Sequence, residues 1–309
     1  MTKRRIKIVY SDAYEVDIGP HVFATQKYRL IKSLLIEEKV ASEGDFVSPE
    51  PATDDDVLLV HTKGYVEKLK NGTLSTKDIL VLELPYSKEL VSASWLGAGG
   101  TILSFKNAIE HGVGIHLGGG FHHAFPDDGE GFCVLNDIAI GIKRLLKDGD
   151  IRRAIVVDCD LHQGNGTAYI FREAPNVFTF SIHQEDNYPM MKPSSDLDVG
   201  LRDGTGGAEY LAVLRERIPA ILDSIKPELI VYVGGADPYM RDQLGALKLT
   251  IQDLMTRDFL IYSMARERNI PVSLLLAGGY AYDTMDTVII HSNSVRVFLG
   301  KAAIDEKKA

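Results

Sequence analysis

Apolar positions along this chain fall into two rhythms. Short, nearly uninterrupted apolar runs at 6–10, 57–60, 112–117, 154–157, 177–182, 229–233 and 272–276 read as strands. The run Ala154-Ile155-Val156-Val157 carries no polar position on either side of its pleat, which predicts a strand buried in a parallel sheet. Longer segments read as helices: 23–40 (apolar spacing at Leu30, Leu34 and Leu35), 62–69, 92–111, 134–146, 207–225, 250–268 and 284–299. Gly97, Gly99 and Gly100 weaken the helical reading of 92–111. Strands alternating with helices predict an α/β fold, a mostly parallel sheet with helices on both faces. No repeat, low-complexity tract or Pro/Ser linker divides the chain, so one domain over 1–309 is expected, with a frayed tail at 305–309.

Composition narrows the class. Hydrophobic residues make up 45% of 309, enough for a large core. A net charge of −9 and no basic cluster longer than Lys3-Arg4-Arg5 argue against direct nucleic-acid binding. An acidic surface favours cationic partners such as lysine-rich peptides or polyamines, although the same charge also serves solubility alone. Two cysteines, Cys133 and Cys159, are too few for a disulfide scaffold. The apolar run after the basic N-terminus is too short for a signal-peptide core, and nothing approaches a membrane span. A cytoplasmic protein is expected, or a nuclear one in a cell with a nucleus.

The chemistry sits where the strands end. In open α/β sheets, ligands bind beyond the carboxyl ends of the strands. The strand at 154–157 runs into Asp158-Cys159-Asp160-Leu161-His162-Gln163-Gly164-Asn165-Gly166, which concentrates costly polar groups at one point. Residues i and i+2 face the same way, so Asp160 and His162 can converge on one ion. Asp237, beyond the strand at 229–233, is the natural third ligand. Two oxygens and one nitrogen suit zinc, with iron or cobalt possible, and three protein ligands leave a position open for water and substrate. The strand at 112–117 leads to Gly118-Gly119-Gly120-Phe121-His122-His123, a pair of imidazoles suited to general acid–base work. Asp158 is placed to orient one imidazole and Asn165 the other; as an uncharged partner, Asn165 would not raise its imidazole as a carboxylate would. Tyr280, after Gly278-Gly279, can donate to a developing oxyanion. Phe132 and Tyr188 are candidate walls of an apolar slot. Taken singly, several of these residues would read as core or turn positions. With the strand at 177–182 ending at His183, five strand ends supply such groups on one side, which argues for a catalytic metal site.

These elements, together with Gly131-Phe132-Cys133-Val134-Leu135-Asn136-Asp137 and, less specifically, Pro20-His21 and His61–Tyr65, resemble the zinc-dependent histone deacetylase superfamily, in the family's order and over nearly the whole chain. The resemblance implies the arginase/deacetylase fold with an eight-stranded sheet. It implies zinc on Asp160, His162 and Asp237, Asp158 behind His122, and Tyr280 polarising the scissile carbonyl. It also implies Gly131 offering its carbonyl to the substrate amide, Phe132 and Tyr188 lining an acyl-lysine tunnel, and a potassium or sodium ion at Asp158, Asp160, His162, Ser181 and Ile182. Gln163 and Asn165 look like the class IV subgroup, whose relatives can prefer long acyl chains. Class I and II members carry a carboxylate where Asn165 stands. Glu83 is a loose match for the acidic residue that holds the substrate backbone.

The expected activity is therefore hydrolysis of an acyl-lysine amide, on a protein or peptide, by a metal-activated water. An acylated small amine such as an acetylpolyamine is an alternative substrate. A binuclear ureohydrolase of the arginase type is poorly supplied with carboxylates, since Pro238-Tyr239 follow Asp237. A non-catalytic acyl-lysine reader leaves the histidine and tyrosine set unexplained. Acyl length and oligomeric state are not legible in the sequence.

Overall fold

The computed structural model describes residues 6–302, so the expected tail at 305–309 and the basic residues at 3–5 lie outside the described residues. The centre is an eight-stranded sheet in which every pairing is parallel. Its strands are β1 (Ile8–Val9), β2 (Phe46–Val47), β3 (Val113–His116), β4 (Ala154–Asp158), β5 (Val177–Gln184), β6 (Leu197–Leu201), β7 (Leu229–Val233) and β8 (Val272–Leu275). They lie side by side in the order β2-β1-β3-β8-β7-β4-β5-β6. All residues of β3, β4, β7 and β8 are buried, which matches apolar runs without alternation. The helices are α1 (Lys27–Glu37), α2 (Asp54–Val57), α3 (Lys63–Asn71), α4 (Thr76–Leu82), α5 (Lys88–His111), α6 (Asp137–Asp148), α7 (Asn165–Phe171), α8 (Gly207–Ile225), α9 (Ile251–Glu267) and α10 (Thr284–Phe298).

Departures from the sequence reading have local causes. The apolar run 57–60 is not a strand. Val57 ends α2 and 58–60 continue as turn; the first turn of α2 is Asp54-Asp55-Asp56, and the Asp56 carboxylate and the Thr53 hydroxyl each accept the other's backbone N–H. Acidic residues at a helix start complement its dipole, and this reciprocal cap stabilises the turn by roughly 1 kcal/mol. Helix α5 is continuous despite its glycines, which lie on its buried face, and it starts four residues earlier than read because Ser87 caps it. Two edge strands leave little trace in the apolar pattern. β2 has only two residues, and β6 alternates half-buried and exposed positions, as an edge does. The helices α4 and α7, seven residues each, are too short to set up a helical period in the sequence.

Candidate active site

Strands β3, β8, β7 and β4 are consecutive neighbours in the sheet, so their carboxyl ends meet although residues 122 and 280 are far apart in sequence. From β3 comes the loop to His122 and His123, from β8 the loop to Tyr280, from β7 the loop to Asp237, and from β4 the segment from Asp158 to His162. All of these residues are buried except Tyr280, which is half-buried.

Asp160, His162 and Asp237 each offer one ligand atom, and these atoms lie within 4.8 Å of one another. The His162 Nδ1 is 3.1 Å from Asp160 Oδ1 and 3.4 Å from Asp237 Oδ2. Backbone amides hold the carboxylates in place: Leu161 N–H donates to Asp237 Oδ1 (2.9 Å), and Gly278 N–H donates to Asp160 Oδ2 (2.9 Å). Asp237 Oδ2 accepts no well-aligned hydrogen bond, although the residue is fully buried and His162 Nδ1 stands 3.4 Å away. A buried carboxylate oxygen left alone costs free energy that a bound cation would repay. The space is kept open by Gly278, where a Cβ would sit 2.1 Å from Asp237 Oδ2 and 2.6 Å from Asp160 Oδ2. Burial, with the neighbouring Asp160 charge, pushes the Asp237 carboxyl up to about 6. Burial would depress the His162 imidazole, but Asp160 and Asp237 raise it to about 10. Two carboxylates and one imidazole around an orphaned oxygen are a donor set that fits one divalent cation.

The histidine pair stands beside this trio. The His122 Nδ1 lies 2.7 Å from Asp158 Oδ2, and its Nε2 lies 3.1 Å from His123 Nε2. The His123 Nδ1 lies 2.7 Å from Asn165 Oδ1. Burial lowers both imidazoles, yet Asp158 and Asp160 outweigh it at His122 and raise it to about 9. Nothing comparable faces His123, so burial and the neighbouring His122 and His162 hold it well below its ordinary value. The backbone carrying the pair is clamped from α6. The Asp137 carboxylate accepts N–H groups from Gly120 (3.1 Å) and Phe121 (2.7 Å), and Asn136 Nδ2 donates to the carbonyls of His122 and Ala124.

Walls rise around these groups. Gly131 and Phe132 form a tight turn with φ of +50° and +66°, closed by the mutual backbone hydrogen bonds of Glu130 and Cys133. A Cβ at Gly131 would approach His123 Cδ2 to 2.8 Å and the Tyr188 ring to 2.9 Å, so both the turn and the space require glycine. Phe132 stacks on Phe23 with ring centroids 6.2 Å apart and meets Tyr280 edge to face at 5.7 Å. Tyr188 stands edge to face against His123 at 5.0 Å. The Tyr280 N–H donates to Asp242 Oδ2 (2.7 Å). Burial and the charges of Asp237 and Asp160 hold the Tyr280 phenol well above its ordinary value, so it stays a proton donor. Glu83 caps α4 with φ +58°, exposed at the rim, and its carbonyl faces His21 Nε2 at 3.1 Å. Ser181 and Ile182 lie on β5, where Ser181 pairs in register with Asp158.

Several residues at the site carried no prediction. Lys27 is fully buried, donates to the Ala277 carbonyl (2.8 Å), and packs beside the Phe23, Tyr28 and Tyr280 rings. Burial lowers its amine to about 8 against the pull of Asp237 and Asp160. Arg257, also fully buried, pairs with Asp258 and donates to the carbonyls of Cys159 (3.1 Å) and Gly235 (2.7 Å), tying the β4 and β7 loops together. The signal for both was spacing. Lys27 shares a helical face with Ile31 and Leu35, and Arg257 with Leu254 and Ile261, so each cation occupies a position where a core residue belongs.

The chain is similar to known proteins over most of its length. Residues 21–295 match the model of the histone deacetylase domain. An uncharacterized protein of Picosynechococcus sp. is 39% identical over 92% of this chain and 95% of its own. Histone deacetylase 2 of Arabidopsis thaliana is 31% identical over 89% of this chain and 75% of its own length, and the acetoin utilization protein AcuC of Staphylococcus aureus is 30% identical over 84% and 72%. The crystal structure of the HDA15 HD domain superposes with a TM-score of 0.80 over 97% of this chain and 91% of that one, at 19% identity, a likeness of fold.

Proposed function

The chain belongs to the histone deacetylase domain family, and from that premise we propose that it is a zinc-dependent amidohydrolase that removes acyl groups from lysine side chains. The observation that carries the reading is the orphaned Asp237 Oδ2 within the buried Asp160–His162–Asp237 trio, beside a histidine pair and a protonated tyrosine. Asp160, His162 and Asp237 would hold the ion, zinc before ferrous iron. When bound, it supplies Lewis-acid polarisation of the acyl carbonyl and lowers the pKa of a neighbouring water.

The chain's own residues supply the rest. His123, held neutral by its burial, takes one water proton at Nε2 and passes it to the departing amine nitrogen as the amide C–N bond breaks; the second water proton follows to the freed amine, leaving a carboxylate and a lysine ammonium. His122, pinned by Asp158 and kept protonated, steadies the negative charge that develops. Tyr280 donates its phenol O–H to the forming oxyanion. The Gly131 carbonyl accepts the substrate N–H, while Phe132 and Tyr188, joined by Phe23, enclose the acyl-lysine stem. Glu83 at the rim pairs with the substrate backbone. A potassium or sodium ion bound by Asp158, Asp160, His162, Ser181 and Ile182 would stiffen the β4 end. Gln163 and Asn165 favour a class IV member.

The acyl group faces aromatic and aliphatic side chains. An apolar cavity of about 50 Å³, lined in part by Tyr14, Leu84, Leu90, Phe121, Phe132 and Leu135, adjoins the Phe132 wall. No helix among the described residues is long and apolar enough to cross a membrane. The test is metal-dependent release from acyl-lysine peptides, acetyl through myristoyl, with acetylpolyamines alongside. Turnover of acyl-lysine with zinc bound supports the reading. Turnover of polyamines only moves the substrate to a small amine, and no turnover by the zinc-loaded protein overturns it.

A further inference from the structure

Asn165 is the one position in the histidine network where an amide stands behind an imidazole. An amide can present either end, and its oxygen and nitrogen are assigned by their partners. Here the far end of the side chain settles the matter. Asn165 Nδ2 lies 2.7 Å from Glu130 Oε1, and an ionised carboxylate only accepts hydrogen bonds. The nitrogen must therefore face Glu130, and the oxygen must face His123 Nδ1 at 2.7 Å. An oxygen there accepts, so Nδ1 carries the proton and Nε2 keeps its lone pair toward the chamber. The 3.1 Å contact between the Nε2 atoms of His122 and His123 is compatible with this choice, because a protonated His122 can only donate its Nε2–H to a lone pair there.

We propose that Glu130 is the positioning residue for His123: through Asn165 it selects the Nδ1–H tautomer and supplies, one residue removed, the negative charge that Asn165 lacks. The same oxygen accepts the Tyr188 hydroxyl at 3.0 Å, and the Glu130 backbone closes the turn that presents Gly131 and Phe132. One side chain thus joins the imidazole, the tunnel wall and the turn. The arrangement is a carboxylate–amide–imidazole relay in place of a direct carboxylate–imidazole pair. It rests on the proposed function in that His123 acts there as the proton carrier.

A double-mutant cycle separates this role from simple structural support. Glu130→Ala frees the amide to turn over, and the loss of an outer partner of this kind typically lowers turnover by about 10–100-fold. Asn165→Asp alone places a carboxylate 2.7 Å from Glu130 and is expected to be harmful through like-charge repulsion. Combined with Glu130→Ala, the same Asn165→Asp restores an acceptor-only group against His123 Nδ1 and should recover turnover to within a few-fold of the unmodified enzyme. In the zinc-loaded protein, ¹⁵N NMR of the His123 ring should show Nδ1–H in the unmodified and doubly substituted proteins and a mixture in Glu130→Ala. Recovery with the tautomer restored supports the relay. Additive losses in the double variant, or an unchanged tautomer in Glu130→Ala, overturn it. Because the NMR measurement needs no turnover, absence of deacylase activity in the unmodified protein would refute the proposed function while still leaving the tautomer assignment decided.

Discussion

Gly278→Ala is a one-methyl perturbation aimed at the metal centre. The φ of Gly278 lies outside the left-handed region, so alanine fits the backbone and only the added carbon matters. That carbon would stand 2.1 Å from Asp237 Oδ2 and 2.6 Å from Asp160 Oδ2, where ordinary contact begins at 3.4 Å. The Asp237 oxygen must retreat by roughly 1 Å, whereas zinc–oxygen bonds tolerate about 0.2 Å around 2.0–2.2 Å. Neither carboxylate can move freely: Leu161 N–H holds Asp237 Oδ1, His162 N–H holds Asp160 Oδ1, and Gly278 N–H itself holds Asp160 Oδ2. One ligand is therefore lost or lengthened. Since even loss of an outer-sphere partner weakens metal binding by about 10–100-fold, the expected drop in zinc affinity is at least about 100-fold. Competition against a chromophoric chelator, with circular dichroism to confirm folding, reads it directly. A folded Gly278→Ala protein that binds one zinc per chain at unmodified affinity would refute the assignment of Asp160 and Asp237 to the ion.

Other outcomes follow from the same geometry. Tyr280→Phe should lower kcat by about 10²–10³-fold with KM and zinc content nearly unchanged, as removal of one oxyanion donor does; near-normal kcat in steady-state assays contradicts its role. Arg257→Met leaves the fully buried Asp258 without its guanidinium and the carbonyls of Cys159 and Gly235 without a donor, and urea unfolding should report a loss of about 3–5 kcal/mol. Burial lowers the His116 imidazole to about 3, beneath the ordinary 6.5 of an unfolded chain. Between those values the unfolded chain binds the extra proton, so the His116 share of stability is complete above about pH 6.5 and is lost as pH falls toward 3. The unfolding midpoint of His116→Gln, compared with the unmodified protein at fixed zinc, should fall less steeply over that range; parallel pH profiles would contradict the burial argument.

The legible parts of this protein were those whose signal is local. Apolar runs without alternation marked β3, β4, β7 and β8, because strands covered on both faces leave no polar position. Polar groups at the ends of those runs marked the site, because a strand end is where an α/β sheet exposes its chemistry. The run 57–60 misled because a capping box and three aspartates outweighed its apolar character, a contest a hydrophobicity pattern does not register. β6 and β2 were missed because edge strands need only half a pattern or two residues.

The sequence by itself determined which residues could carry the chemistry, since strand-end position and side-chain type are both properties of a short segment. Only the tertiary structure decided which of them meet. The order β3-β8-β7-β4 brings His122, Tyr280, Asp237 and Asp160 together, and that order is set by how helices cross over the sheet, not by any one segment. It also placed Lys27, Arg257 and Glu130 at the site from α1, α9 and a tight turn. Their roles are invisible in sequence because a charge withdrawn from solvent is defined by its partners, and the site groups they hold, Ala277 for Lys27, Asn165 for Glu130, and Cys159 and Gly235 for Arg257, lie more than 20 residues away along the chain.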